Sequence, residues 1–167
     1  MLKHKVLLIT TACVLAGFAA WTIADTNWID NESRRSAMKD RETRAALERH
    51  WSDIEDQDVV HEIYHDDVVV EFPQSGERFL GRANLRAMRE AYPAKVSATI
   101  RQSRGYGDLW VTELVLIYDG KKRVNAVSIM EFRNGKVARE TLYFGDPWDP
   151  PAWRAQWVEQ ANEEIDE

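Results

Sequence analysis

The sequence has little with which to cross-link itself or to grip nucleic acid. It holds one cysteine, Cys13, so no intrachain disulfide can form. It has no excess of positive charge: 22 lysines and arginines face 28 aspartates and glutamates, a net charge of −6. Such a surface lacks the basic footprint that phosphate contacts require, which argues against non-specific nucleic-acid binding. There is no internal repeat and no low-complexity tract. What remains is an ordinary globular balance, 44% hydrophobic and 30% charged. A length of 167 residues suits one domain plus an appendage.

The appendage is N-terminal. Lys3 and Lys5 precede a nearly unbroken apolar run from Val6 to Ala24, and Asp25 switches the chain to polar. That layout fits a secretory signal or an uncleaved membrane anchor, with Thr22-Ile23-Ala24 as a passable cleavage site. The run is long enough to span a bilayer as a helix, and the basic start keeps the N-terminus cytoplasmic. Both alternatives place residues from about 30 onward on the exported side, periplasmic or extracellular, and an uncleaved leader makes the membrane a partner. The expected division is targeting segment 1–25, linker and helix start 26–39, folded domain 40–160 and acidic tail 161–167.

In the body, residues 31–51 predict an amphipathic helix with Ala46, Leu47, His50 and Trp51 on one stripe. Ser52 and Asp53 are placed to cap a second helix, Ile54 to about His65. DDVVVEF (66–72) reads as a β-branched strand stopped by Pro73, and QSGERFLG (74–81) as a loop. A third helix, 82–92, carries Leu85, Met88 and Tyr92 on one side and ends at Pro93. Four strands follow: 95–103, 109–118, 123–132 and 136–144. Asp119-Gly120 and Asn134-Gly135 mark tight hairpins. GDPWDPP then breaks the chain before a short C-terminal helix, with Trp153 and Trp157 on one face expected to pack on the domain itself. Helices segregated ahead of an antiparallel meander make an α+β domain, a curved sheet wrapped as a cone around a pocket between sheet and helices.

His61 to His65 read H-E-x-x-H, the zinc signature of a metalloprotease when both histidines share a helix face. A zinc site also needs a third ligand, and neither His4 nor His50 stands nearby in sequence. The competing reading makes His61 a solvated helix residue and His65 a helix C-terminal residue that meets the dipole. No metal is expected.

Carboxylates on apolar faces are a better clue. Glu113 shares a strand face with Leu109, Val111, Val115 and Ile117; Glu140 shares one with Ala138, Leu142 and Phe144. An isolated buried charge is too costly, so each must be paired, hydrogen-bonded or protonated. Glu140 is the first catalytic candidate and Glu113 the second. Structural pairing is the alternative for both, with Arg154 a candidate for Glu140 and a dimer interface for Glu113. Both faces of strand 109–118 are apolar, so periodicity does not choose which lines the pocket and which packs on a partner; a homodimer is expected. Trp51, Tyr64, Phe72, Met88, Tyr92 and Trp110 are the candidate pocket lining, with Asn125, Ser128 and Thr112 as hydrogen-bonders.

Three stretches carry a resemblance: VVVEFPQSGERFLGRANL (68–85), EFRNGKVARETLYFGDP (131–147) and PPAWRAQWVE (150–159). The chain resembles the SnoaL-like branch of the nuclear transport factor 2-like superfamily over about residues 40–160. The resemblance implies the α+β cone, a curved mixed or antiparallel sheet packed on three helices from the N-terminal half. It further implies a small, largely apolar ligand and cofactor-independent acid–base chemistry of isomerase, cyclase, hydrolase or dehydratase type, with a pocket acid on the sheet shuttling the proton. Members without a reaction also carry the fold, so a non-catalytic binding or dimerisation module is the alternative.

Overall fold

A computed structural model describes residues 31–159. The expected targeting segment, Cys13 and the expected acidic tail lie outside the described residues; among those described, no helix is long and apolar enough to cross a membrane. The first helix, α1, runs through residues 31–52. It buries the expected stripe, with Leu47, His50 and Trp51 inside. The order continues as α2 (Gln57–Glu62), β1 (Tyr64–Phe72), β2 (Glu77–Leu80), α3 (Arg82–Glu90), β3 (Val96–Tyr106), β4 (Leu109–Tyr118), β5 (Lys122–Arg133) and β6 (Lys136–Gly145).

The strands form one six-stranded sheet in the order β2-β1-β6-β5-β4-β3. β3 to β6 are the predicted antiparallel meander. Both hairpin signals hold for the reason the residue types suggest: Asp119 and Gly120 (φ 52° and 66°), in the three-residue loop between Tyr118 and Lys122, and Asn134 and Gly135 (φ 54° and 78°), in the two-residue loop between Arg133 and Lys136, all adopt the left-handed conformation that such tight turns require. β1 adds to β6 in parallel, with Val70 opposite Glu140, so the sheet is mixed. The register irregularities around Tyr64–Val69 and Glu131–Phe132 lie beside the stretch of β6 that skips Ala138. Val137 and Glu140 are consequently both buried although three residues apart.

Three local expectations are corrected. The second helix is shorter than 54–65, because Asp56, not Ser52 or Asp53, caps it by accepting from the backbone N–H groups of Asp58 and Val59. It ends before Tyr64, which pairs with Val137 as the first residue of β1. Within the expected loop 74–81, Glu77–Leu80 form a strand held only at the edge of β1, too short and too exposed to leave a period-2 pattern. At the C-terminus, Ala152–Trp157 form a 3-10 helix that buries nothing; Trp148, Trp153 and Trp157 are 75%, 72% and 70% exposed, so the expected packing on the domain is not made. Pro147, Pro150 and Pro151 remove three of the five backbone N–H groups of residues 147–151, so the approach to that segment does not continue as helix.

The helices cover one face of the sheet. Trp110, Leu114 and Leu116 of β4, Ala126 and Met130 of β5, and Leu142 of β6 pack there with Leu47, Trp51 and Leu85. α1 is tied to the β3–β4 turn by Arg44, which donates to the Ser103 carbonyl at 2.7 Å and lies 5.0 Å over the Trp110 ring. Asp40 accepts the Gly107 N–H at 3.0 Å. Gly105 lies against Trp110, and a Cβ there would come within 2.5 Å of its ring and of the Leu109 carbonyl. Only glycine fits this crossing.

Candidate functional site

Six elements send a polar side chain toward one region between helices and sheet. Glu140 on β6 is fully buried. Its Oε1 accepts from Ser128 Oγ on β5 at 2.7 Å, and its Oε2 from the Tyr64 hydroxyl at the start of β1 at 2.6 Å. Arg89 on α3, with a side chain 17% exposed, donates from Nη2 to Tyr64 Oη at 3.0 Å and lies 3.8 Å from Glu140 Oε2. His50 on α1 places one ring nitrogen 2.9 Å from the Val60 carbonyl and the other 3.5 Å from Tyr64 Oη. His61, in the last turn of α2, directs Nδ1 to the Gln57 carbonyl at 2.8 Å.

The electrostatics follow from burial around one ion pair. Desolvation, reinforced by the Arg89 charge, drives the His50 imidazole down to about 3 against the opposing pull of the Val60 carbonyl, so His50 is neutral. His61 is lowered for the same leading reason. Burial pushes the Tyr64 phenol above its ordinary value, Glu140 adding to the effect, so Tyr64 keeps its proton and serves as a donor. Burial alone would weaken the Arg89 charge, but Tyr64 and Glu140 outweigh it and hold the guanidinium above its usual value. The centre is thus one ion pair, a phenol and two uncharged imidazoles. Each Glu140 oxygen still has a lone pair that can take a proton. Around the centre, His61 Nε2, Arg89 Nη1 and Trp51 Nε1 are buried without a hydrogen-bond partner. Such atoms are rare enough in folded proteins that a bound molecule or water is their normal complement.

The structure separates the sequence candidates. Glu140 and Tyr64 are in direct contact. Trp51 and Trp110 are buried beside them in the core, while Phe72 and Met88 are only partly buried against it. Phe72 stacks edge-on against Phe79 and Phe144. Tyr92 is 48% exposed, beyond the end of α3, where it meets Tyr118 at 6.0 Å. Glu113 and Asn125 lie on the opposite, helix-free face and are exposed. There they line an open cleft of ≈ 410 Å³ with Arg101 and Tyr143, and Glu113 also borders a second of ≈ 520 Å³ with Tyr106 and Leu109. Glu113 and Glu140 are therefore not brought together, because the pleat sends the Leu109–Glu113–Ile117 row outward and the Trp110–Leu114 row inward. A third cleft, ≈ 540 Å³, lies between Tyr92, Tyr118, Val124 and Phe144, and neither Glu140 nor Tyr64 lines it. Of the expected hydrogen-bonders, Ser128 reaches Glu140, whereas Thr112 bonds Ser103 at 3.0 Å. Glu140 is paired with Arg89 rather than Arg154.

Arg89 and the roles of His50 and His61 were not anticipated. The signals were an arginine four residues after Leu85 on the apolar side of α3, and a histidine within the apolar stripe of α1. The expected solvation of His61 is overturned by its burial, 3% exposed, against Tyr64. His65 lies in β1 and faces the Arg133 carbonyl, so the two histidines of HEIYH sit on different elements and do not form the helical pair of a zinc peptidase. Among the described residues, no group of three or more His, Cys, Asp or Glu is arranged to hold a metal ion.

A curved six-stranded sheet covered on one face by helices is the fold of the nuclear transport factor 2-like class. Within that class, a family model described as the SnoaL-like domain matches residues 41–140, and the chain belongs to this family. A nuclear transport factor 2-like protein of unknown function from Burkholderia xenovorans is 49% identical, with a TM-score of 0.68, over 74% of this chain and 98% of that one. A Kribbella flavida protein, provisionally assigned as a ketosteroid isomerase, is 26% identical with a TM-score of 0.67, over 76% and 95% of the two chains. An epoxide hydrolase from M. tuberculosis, 24% identical with a TM-score of 0.51 over 62% and 83%, shares the fold. Comparison with curated proteins finds no match.

Proposed function

We propose that this SnoaL-like domain binds a small, largely apolar molecule in its cone and moves a proton on it with Glu140, without a metal or organic cofactor. The observation that carries the reading is the buried Glu140 carboxylate, held by Tyr64, Ser128 and Arg89 beside polar atoms that lack partners. Arg89, whose Nη1 has no partner, supplies a donor and a positive charge for an oxygen that becomes negative as the proton leaves carbon or oxygen, the arrangement that stabilises an enolate or alkoxide. The ligand enters at the Tyr92–Tyr118 cleft. Phe144 in that cleft and Glu140 are four residues apart on β6, so the ligand must reach roughly 13 Å inward. Isomerisation or epoxide opening, the reactions named for two proteins of this fold, both fit such a site. The leader places this chemistry on the exported side, tethered or released.

The test is turnover of a ketosteroid and of a panel of epoxides by the wild-type chain and by Glu140→Gln. General acid–base catalysis contributes about 10²–10⁴-fold, so the variant should lose that much in kcat with its circular dichroism unchanged. A folded Glu140→Gln that retains wild-type kcat removes Glu140 from the chemistry.

A second reading, a non-catalytic dimerisation module, draws on the helix-free sheet face. Tyr106, Leu109 and Tyr143 are 74%, 52% and 43% exposed there, an apolar surface of the kind that marks an interface. Native mass spectrometry of the purified chain distinguishes the two readings: a dimer that carries an organic adduct favours the enzyme, and an adduct-free, inactive dimer favours the module. The homodimer itself is compatible with both.

A further inference from the structure

Tyr64 has one hydroxyl proton and two acceptors within reach. Glu140 Oε2 at 2.6 Å takes it in the resting arrangement. The second acceptor is His50. Its Nδ1 faces the Val60 carbonyl at 2.9 Å, and a carbonyl only accepts, so Nδ1 carries the ring proton and Nε2 carries a lone pair. That lone pair faces Tyr64 Oη at 3.5 Å, the outer limit of a hydrogen bond. No other element packed here turns the imidazole into a donor. α3 contributes the Arg89 cation, α2 the neutral His61, β6 the Glu140 carboxylate and β1 the Tyr64 phenol, and the Arg89 charge discourages protonation of His50.

We propose that His50 is a positioning residue of this site: when Glu140 takes up a proton, the Tyr64 hydroxyl swings from Glu140 Oε2 to His50 Nε2. The inference rests on the reading of Glu140 as the group that gains and loses the proton. The sequence balances. The ligand's X–H bond breaks, its electron pair stays on X, and the proton forms an O–H bond on Oε2. Oε2–H then donates to Tyr64 Oη, which continues to accept from Arg89 Nη2. The Tyr64 O–H, no longer accepted by Glu140, donates to His50 Nε2 by rotation about its C–O bond. No proton leaves Tyr64 and none arrives on His50. When Glu140 returns its proton to the ligand, the hydroxyl swings back. Without His50, the protonated site would leave a buried phenol donor unsatisfied, the costliest state for such a group. With it, the centre is hydrogen-bonded in both halves of the cycle. This also accounts for a histidine kept neutral at a position where leucine would pack.

The experiment reads the His50 Nε2 resonance by ¹⁵N NMR in the ligand-free chain, with the histidines labelled. Glu140→Leu removes the competing acceptor, and Glu140→Leu with Arg89→Met removes the ion pair as well, in case the single variant does not fold. In either, Nε2 should move upfield by several ppm and couple to the Tyr64 hydroxyl proton. Tyr64→Phe should abolish that shift in the variant background and leave Nε2 unchanged in the wild type. An Nε2 resonance that is the same in wild type and in the folded Glu140 variants overturns the proposal; so does a Tyr64→Phe change in the wild type, which would mean that His50 already holds the hydroxyl. No turnover enters the measurement, so a catalytically silent Glu140 is revealed by the kinetics alone.

Discussion

Replacing Arg89 by methionine tests how the buried centre is held. Methionine keeps most of the apolar stem on the core and deletes the charge. The loss has two parts: the donor to Tyr64 Oη at 3.0 Å, and the only cation described beside the fully buried Glu140 carboxylate, 3.8 Å away. Breaking one side of a buried ion pair costs about 3–5 kcal/mol. The 17% exposure of the Arg89 side chain and the long 3.8 Å approach argue for the lower end, about 3 kcal/mol. With a urea m-value of about 2 kcal/mol/M, the unfolding midpoint should fall by about 1.5 M. Tryptophan fluorescence reports it, because Trp51 and Trp110 are both in the core. Adding Glu140→Leu to Arg89→Met should recover most of the loss, since an apolar pair leaves no stranded charge. An Arg89→Met protein within about 0.5 kcal/mol of wild type would refute the argument that the guanidinium compensates Glu140.

Three other outcomes are expected. His50 titrates at about 3 when folded and at 6.5 when free, so below pH 6.5 the unfolded chain binds the extra proton. Stability contributed by neutral His50 is therefore full above pH 6.5 and is lost toward pH 3, at about 1.4 kcal/mol per pH unit. Urea midpoints between pH 7 and 4 should show that slope, and His50→Gln should flatten it. Gly105→Ala forces a Cβ into the Trp110 ring and should cost about 1–3 kcal/mol, seen as a lower melting temperature with an unchanged fold. If the open sheet face is a dimer interface, Leu109→Glu places a charge on it at the start of β4 and should give a monomer in sedimentation velocity while leaving the melting temperature of the domain intact.

The parts of this fold that were legible in the sequence are those set by local chemistry. Asp119-Gly120 and Asn134-Gly135 fix their hairpins through two consecutive left-handed residues, and no distant contact is needed to read them. Glu140 was visible because a carboxylate in a row of apolar residues must be compensated. Its compensation was not visible: Tyr64, Arg89, His50 and Ser128 come from four other elements, and only the tertiary arrangement selects them. Glu113 shows the limit of the same rule. It, too, sits among apolar residues, but that row faces outward, and a strand that is apolar on both faces does not declare its inner side. α2 and β2 were misread because one is shortened by the Asp56 cap and the other exists only as a partner of β1.

The pairing of β1 with β6 has a consequence for the order of assembly. Every other neighbouring pair in the sheet is consecutive in the chain, closed by a turn or a short loop, whereas Tyr64 and Glu140 are separated by 76 residues. Local pairings form early and distant ones late, since the entropy of closing a long loop must be met first. The β3–β6 meander can therefore exist before β1 docks. In that interval β6 is a bare edge strand, and Glu140 on it is a solvated charge amid Val137 and Leu142. Charge on the inward face of an open edge discourages another chain from adding there. The carboxylate that ends up against Tyr64 would thus, in that interval, oppose edge-to-edge association of the open sheet.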